Sequence, residues 1–288
     1  DELIAYVQRL LGSCLVGGNN DQVFPICWGE GANGKSTLLN LIRHIFSDYG
    51  QTLSGDALLQ KRAGSATNDL ADLRGVRFAV VTELPPNAAI DTALVKRLTG
   101  SDYVRARRLY GNNEEFTPQV TVIAAANSKP KLPAGDEAVW RRVHLIPFKH
   151  VVPPEDRDLE LPDKLKAEGS GVLNWLIKGY ADYLAQGLSA PPAVQAATHA
   201  YRDELDLVKR FVDESCDIGS GLSESGQNLR SAFESWCAEG GEMAVSPSAF
   251  SQRLATLGFD KKRRGGGVVY FGLSIKPIDA SGSLKAAA

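Results

Sequence analysis

The sequence predicts an α/β domain on a mainly parallel sheet, then a helical segment, then a small module of two helices and a hairpin. Three observations carry this. Apolar runs at residues 23–28, 78–82, 120–126 and 143–148, most of them rich in β-branched residues, are separated by helical or polar segments, as buried parallel strands are. A glycine-rich stretch, residues 29–36, joins the first run to a segment of helical periodicity. Near the C-terminus Ser246-Pro247 opens a helix, and two strand-like runs flank Gly265-Gly266-Gly267.

Composition bounds the rest. With 288 residues, 43% hydrophobic and 23% charged, 28 Gly and 14 Pro, the chain is near the globular average, which excludes disordered, collagenous and coiled-coil proteins. The length suits one large domain or two. Its longest apolar runs fall well short of the roughly 20 residues of a membrane span, so no membrane partner is expected. The chain starts Asp1-Glu2-Leu3 with neither a Met nor a secretory leader pattern, and reads as a piece of a longer polypeptide. Cys14, Cys27, Cys216 and Cys237 are far apart and form no ligand-spaced cluster with the histidines; reduced thiols and no structural zinc are expected. Residues 1–150 carry 17 Lys+Arg against 15 Asp+Glu, and the whole chain has net charge −2, so nucleic-acid contact would fall to local clusters. These are Arg105-Ala106-Arg107-Arg108, Arg141-Arg142 and Lys261-Lys262-Arg263-Arg264.

Five regions are expected: a helical lead at 1–20, a core at 21–150, a helical segment at 151–215, a C-terminal module at 216–280 and a tail at 281–288. Leu3, Ile4, Val7, Leu10 and Leu11 have helical spacing over residues 3–16. A helix over 172–188 is marked by Leu173, Trp175, Leu176, Tyr180 and Leu184; another is expected over about 193–214, then a Ser/Gly-rich linker at 219–226. In the module Asn228 can cap a helix reaching Glu239, and the helix from Ser246-Pro247 buries Phe250, Leu254 and Leu257 while Arg253 faces outward. Runs 259–264 and 268–273 complete a hairpin. Helix, helix and basic wing form a winged-helix pattern in which Arg253, Lys261, Lys262, Arg263 and Arg264 could meet DNA.

Gly29-Glu30-Gly31-Ala32-Asn33-Gly34-Lys35-Ser36, followed by Thr37, matches G-x-x-x-x-G-K-[ST] without a gap. Glycines let backbone amides curl around phosphate oxygens, and the helix N-terminus adds a favourable field. Lys35 would neutralise β- and γ-phosphates, and the Ser36 hydroxyl would ligate Mg²⁺. Glu83, after the run 78–82, stands where an acidic group could hold the metal through water and polarise a nucleophilic water; it could also be an ordinary surface Glu. Asn127, ending the run 120–126, fits a γ-phosphate sensor or a simple turn. Absence of an N-K-x-D signature favours ATP over GTP. Arg141 or Arg142 could act as an arginine finger on a neighbouring copy, unless paired with Asp136 or Glu137.

Residues 29–37, Thr82-Glu83, 96–102, Ala106-Arg107, Asn127, 136–142 and Ile146-Pro147-Phe148 together resemble the superfamily 3 helicase domain of phage, plasmid and poxvirus-type primase-helicases. The resemblance spans about residues 5–215 and more weakly the C-terminal module. It implies an AAA+ type P-loop core, a homo-hexameric ring, ATP hydrolysed between subunits with Mg²⁺, movement on single-stranded DNA in the channel, an upstream primase domain and a cytoplasmic setting in a bacterial host. Many relatives have two acidic residues where this chain has Thr82-Glu83. The stretch between Glu83 and Asn127 also resembles the family's DNA-contacting hairpin: runs 103–110 and 115–122 are strand-like around Gly111-Asn112-Asn113, placing Arg105, Arg107, Arg108 and Tyr110 on or near its tip. A nucleotide-switched DNA-binding protein that never unwinds is the rival reading.

Overall fold

The computed structural model describes residues 1–60, 68–82, 84–85, 88–100, 102–107, 113–265 and 267–277. Glu83, Arg108 and Tyr110 lie outside these, as does the side chain of Arg107. The chain divides into two compact units, one of Asp1–Leu132 with Asp136–Tyr201, the other of Pro133–Gly135 with the chain from Arg202 onward. Among the described residues no helix is long and apolar enough to cross a membrane.

In the first unit, strands β1 (Phe24–Trp28), β2 (Gly50–Leu53), β3 (Phe78–Val81), β6 (Thr121–Ala126) and β7 (Val143–Pro147) form a five-stranded sheet in the order β2-β3-β6-β1-β7, parallel at every pairing. β3 and β6 are buried throughout, which is why they read as unbroken apolar runs. β2 was not expected. As an edge strand it buries only Gly50 and Leu53 of its four residues, too few to stand out as an apolar run. A short antiparallel ribbon, β4 (Val104–Arg107) with β5 (Asn113–Phe116), stands apart from this sheet.

Helix α1 (Glu2–Ser13) crosses α7 (Gly169–Gln186) at backbone distance, because Gly12 and Gly179 face one another's helix. A Cβ on Gly12 would strike the α7 backbone at Leu176 and Tyr180, and one on Gly179 would strike the Gln8 carbonyl. The crossing sinks Tyr6, Leu10 and Leu11 into the core that Ile42, Phe46, Phe78 and Leu176 also share. The remaining helices here are α2 (Lys35–Phe46), α3 (Asn68–Ala71), α4 (Thr92–Thr99), α5 (Glu137–Trp140) and α6 (Leu161–Ala167).

The single helix expected over 193–214 is two, α8 (Pro192–Leu205) and α9 (Leu207–Ser215), broken at Asp206. The Asp206 carboxylate caps α9 by accepting from the Lys209 amide at 3.1 Å. In the C-terminal unit α9 joins β8 (Cys216–Ser225), α10 (Gly226–Glu239), α11 (Pro247–Thr256), β9 (Lys261–Arg264) and β10 (Gly267–Ile275). The sheet order is β8-β10-β9, antiparallel. Val208, Phe211, Phe233, Phe250, Leu254 and Tyr270 form its core, so α9 belongs with this unit and not with the helical segment assigned to 151–215. The expected linker at 219–226 is largely the strand β8: its glycines and serines pair with β10 and give the sheet a local irregularity opposite residues 271–273. Ser225, not Asn228, caps α10, its hydroxyl accepting from the Asn228 amide at 3.0 Å.

Candidate functional site

The glycine-rich loop leaves β1 at Gly29 and enters α2 at Lys35. Its path needs left-handed backbone at Gly31 (φ 105°), Ala32 (φ 46°) and Gly34 (φ 82°), so two of the three such positions are glycines. Gly29 admits no side chain, since a Cβ there would meet the Phe148 carbonyl and the Asn33 amide. The Gly29 amide donates to Ala126 (3.3 Å), and the Ala32 carbonyl accepts from Val152 (2.8 Å), tying the loop to β6 and to the chain beyond β7. Asn33 Nδ2 donates to the Phe148 carbonyl at 3.1 Å, while its Oδ1 accepts from Lys35 Nζ at 2.9 Å. Lys35 also donates to the Gly29 carbonyl at 2.6 Å. The residue is 4% exposed, and burial holds its ammonium below the usual lysine range. Nearby, the Cys27 thiol is pushed up to about 12 by burial and packs as a neutral group.

An open cleft of about 650 Å³ lies at the carboxyl ends of the strands. Lys35 and Ser36 line one side, Asn127 and Ser128 another, and Asn40, Thr52 and Thr82 complete the polar lining. β1 sits between β6 and β7, yet the chain after β1 runs to β2 at the far edge; ligands bind open α/β sheets at such a reversal. Lys35, Ser36 and Asn127, some ninety residues apart, thus share one cavity. Thr37, next in α2, is half-buried. Asn40 was missed although it lies one helical turn from Ser36, and Thr52 was missed with its strand. The Ser36 hydroxyl, lining the cleft beside Lys35, is a hard oxygen donor of the kind Mg²⁺ takes.

The two adjacent arginines part company. Arg142 is 6% exposed and fully engaged: Nε donates to Thr99 Oγ1 at 2.9 Å, Nη1 to the Ala138 carbonyl at 2.6 Å and Nη2 to Gln22 Oε1 at 3.0 Å. It locks α4 and α5 together, so the finger role expected of either arginine does not fall to it. Arg141 is exposed, and its guanidinium has no partner among the described residues. Asp136, one of the acids that could have held it, caps α5 and pairs with Lys96 at 2.7 Å. Arg141 precedes β7, and Val143 lies opposite Phe24 in the sheet, so Arg141 is at the amino edge, a strand length of roughly 15 Å from its own loop.

The basic clusters also differ from expectation. Arg105 stands opposite Glu115 in the β4–β5 ladder and Ala106 opposite Glu114, which in turn bonds Arg74 at 3.1 Å. Arg253, expected to face outward, places Nε and Nη2 both 2.6 Å from Asp206 Oδ2; the carboxylate is 2% exposed. That ion pair holds α11 to the start of α9, and withdraws Arg253 from any outer face. Lys261, Lys262, Arg263 and Arg264 are all exposed on β9, with Lys261 donating to Ser251 Oγ at 2.6 Å and Lys262 and Arg264 over the Phe271 ring.

Comparison with known proteins gives a consistent direction. Residues 27–142 match a protein family of unknown function, DUF5906. The chain is 29% identical over 255 residues to a protein of Acanthamoeba polyphaga mimivirus named as a helicase, covering 80% of this chain and 27% of that protein. It is 29% identical over 248 residues to a protein of Frog virus 3 also named as a helicase (79% and 26% covered), and 23% identical over 254 residues to one of African swine fever virus named as a primase (80% and 26% covered). The chain spans about a quarter of the length of these relatives. The apo structure of the NrS-1 C-terminal region superposes with a TM-score of 0.56 at 13% identity, covering 94% of this chain and 71% of that one, a likeness of fold.

Proposed function

We propose that this chain is the motor part of a replicative DNA helicase: an AAA+ type P-loop ATPase with a C-terminal winged helix, working as a hexameric ring around single-stranded DNA. The observation that supports it best is the placement of one cleft and one arginine. Lys35, Ser36 and Asn127 converge on a cavity at the carboxyl edge, while Arg141 stands exposed at the opposite edge of its own sheet. An arginine so placed cannot serve its own nucleotide, but it can serve the next copy's. The similarity to viral proteins named as helicases and primases points the same way.

In this reading the loop amides and Lys35 bind the β- and γ-phosphates, and the Asn127 amide orients a γ-phosphate oxygen or the attacking water. Glu83 polarises that water, and Arg141 of the adjacent copy meets the charge that builds on the transferred phosphoryl group. Mg²⁺, held through Ser36, supplies further neutralisation of phosphate charge when bound. A linked primase domain upstream fits the relatives' greater length.

Turnover of ATP by the parent chain and by Lys35→Ala, Arg141→Ala and Arg142→Ala, with and without single-stranded oligonucleotide, tests this. Expected is DNA-stimulated hydrolysis, a loss of about 10³-fold in Lys35→Ala and Arg141→Ala, and partial recovery when those two inactive chains are mixed. Arg142→Ala should instead lose thermal stability. Hydrolysis that is indifferent to DNA, with no recovery on mixing, would leave a second reading: an ATP-switched DNA-binding protein without unwinding activity. One observation favours that rival, namely that all four cations of β9 in the C-terminal unit face uncharged residues, whereas Arg105 of β4 faces Glu115.

A further inference from the structure

Asn127 reaches the cleft from a turn, and a side-chain amide serves a phosphate only if that turn is held at a fixed height above the loop. The chain leaving β6 is pinned residue by residue just after it. Lys131 donates its amide to the Ala88 carbonyl at 2.7 Å, and its carbonyl accepts from Ile90 at 3.3 Å. The Pro130 carbonyl accepts from the hydroxyl of buried Tyr201, whose ring meets Trp140 edge-on at 5.1 Å. Lys129 lies between these anchors and the turn. Its Nζ is 4.6 Å from the centre of the Trp28 ring and 5.8 Å from that of Tyr201.

Trp28 is the last residue of β1, and the next residue, Gly29, opens the phosphate loop. Its own position is fixed on both flanks, opposite Ala126 and by the bond from the Phe148 amide to its carbonyl at 2.7 Å. The anchors at residues 130 and 131 attach the turn to segments away from the loop. On the near side of the turn the Gly29 amide holds Ala126 to the loop's first residue, and on the far side the Lys129 cation over the Trp28 face adds a side-chain tie to the loop's starting point.

We propose that Lys129 is a positioning residue of the ATP site: its cation, stacked on Trp28, holds the far side of the Asn127 turn at a fixed spacing from the phosphate loop, as the Gly29–Ala126 bond holds the near side. This rests on the ATPase reading above. A cation over the electron-rich face of an indole is attracted without strict direction, and both Lys and Arg satisfy it. Misplacement of a reacting or polarising group by about 1 Å costs up to about 100-fold in rate, whereas uniform binding of the nucleotide is carried by the loop and is spared.

The test uses the full chain and four variants, Lys129→Met, Lys129→Arg, Trp28→Phe and Trp28→Leu, with the double variant Lys129→Met/Trp28→Leu. Three readouts are taken: kcat for ATP, affinity for a fluorescent ATP analogue, and hydrogen exchange of the peptide containing Asn127 and Ser128. Lys129→Met and Trp28→Leu should lower kcat about tenfold while leaving nucleotide affinity within about twofold. Exchange in the Asn127 peptide should rise in both. Lys129→Arg should restore kcat and protection, Trp28→Phe should fall between, and the double variant should be no worse than either single one. If Lys129→Met keeps the parent kcat, or Lys129→Arg rescues nothing, the proposal is overturned. A parent chain that hydrolyses no ATP defeats the ATPase reading instead; the exchange data then decide for or against the Lys129 contact by themselves.

Discussion

Two basic hairpins, β4–β5 and β9–β10, look equivalent in sequence and differ in the electrostatics their registers create. Residues 103–116 hold three arginines and two glutamates, and residues 259–275 hold four cations and one aspartate. In the first, Arg105 faces Glu115 across the ladder while Arg107 stands opposite uncharged Asn113, and Glu114, opposite Ala106, is bound to Arg74, so one of the two arginines of β4 meets an acid. In the second, Lys261, Lys262, Arg263 and Arg264 face Tyr270, Val269, Val268 and Gly267, none of which carries charge. Positive charge on a hairpin is therefore decided by its partner strand, which a composition count along the chain does not see. The β9 cations have a structural use as well, since β9 is the edge of its sheet and charged side chains block pairing with another chain there.

The greatest change is expected in DNA affinity. Replacing Lys261, Lys262, Arg263 and Arg264 together by Gln should weaken oligonucleotide binding by the full chain. The slope of log affinity against log salt should become shallower by about 3, since each phosphate no longer neutralised removes about 0.7–0.9 from it. Fluorescence anisotropy over a salt series measures this, and an unchanged slope would mean that β9 only guards its edge. Second is Arg253→Ala, which strands the buried Asp206 carboxylate and should cost about 3–5 kcal/mol in urea unfolding. Its salt slope for DNA should match the parent's at temperatures where the variant is folded, because this guanidinium is spent inside the unit. The smallest effect is at β4–β5. Glu115→Gln removes the negative charge that stands opposite Arg105 in the ladder, a cross-strand effect of about 0.2–1 kcal/mol, so binding should tighten by no more than about fivefold. Weaker binding in that variant would show that Glu115, not Arg105, matters there.

Much of the first unit was legible because its signals are local. β1, β3, β6 and β7 begin and end within one residue of the apolar runs, and the motif at 29–36 leads from the end of β1 into the first two residues of α2. What escaped depends on partners distant in sequence. Asp206 reads as one more polar residue in a long helix until Arg253, 47 residues on, is seen to bind it. Arg141 and Arg142 cannot be separated by spacing; the oxygen atoms that engage Arg142 come from residues as far away as Gln22 and Thr99. β8 read as a linker because glycine and serine mark flexible chain unless a neighbouring strand recruits them, and here β10 does. Lys35, Ser36 and Asn127 were legible as types, and their shared cavity follows from a strand order that no periodicity encodes.

The glycine crossing of α1 and α7 bears on how the protein can be handled. Tyr6, Leu10 and Leu11 would each forfeit about 1.5–3 kcal/mol if uncovered, together comparable with the whole margin that keeps a domain folded. The first thirteen residues therefore belong to the folded unit: a chain trimmed to begin at the first strand would bare the side of Ile42, Phe78 and Leu176 that they cover, and is expected to melt well below the parent.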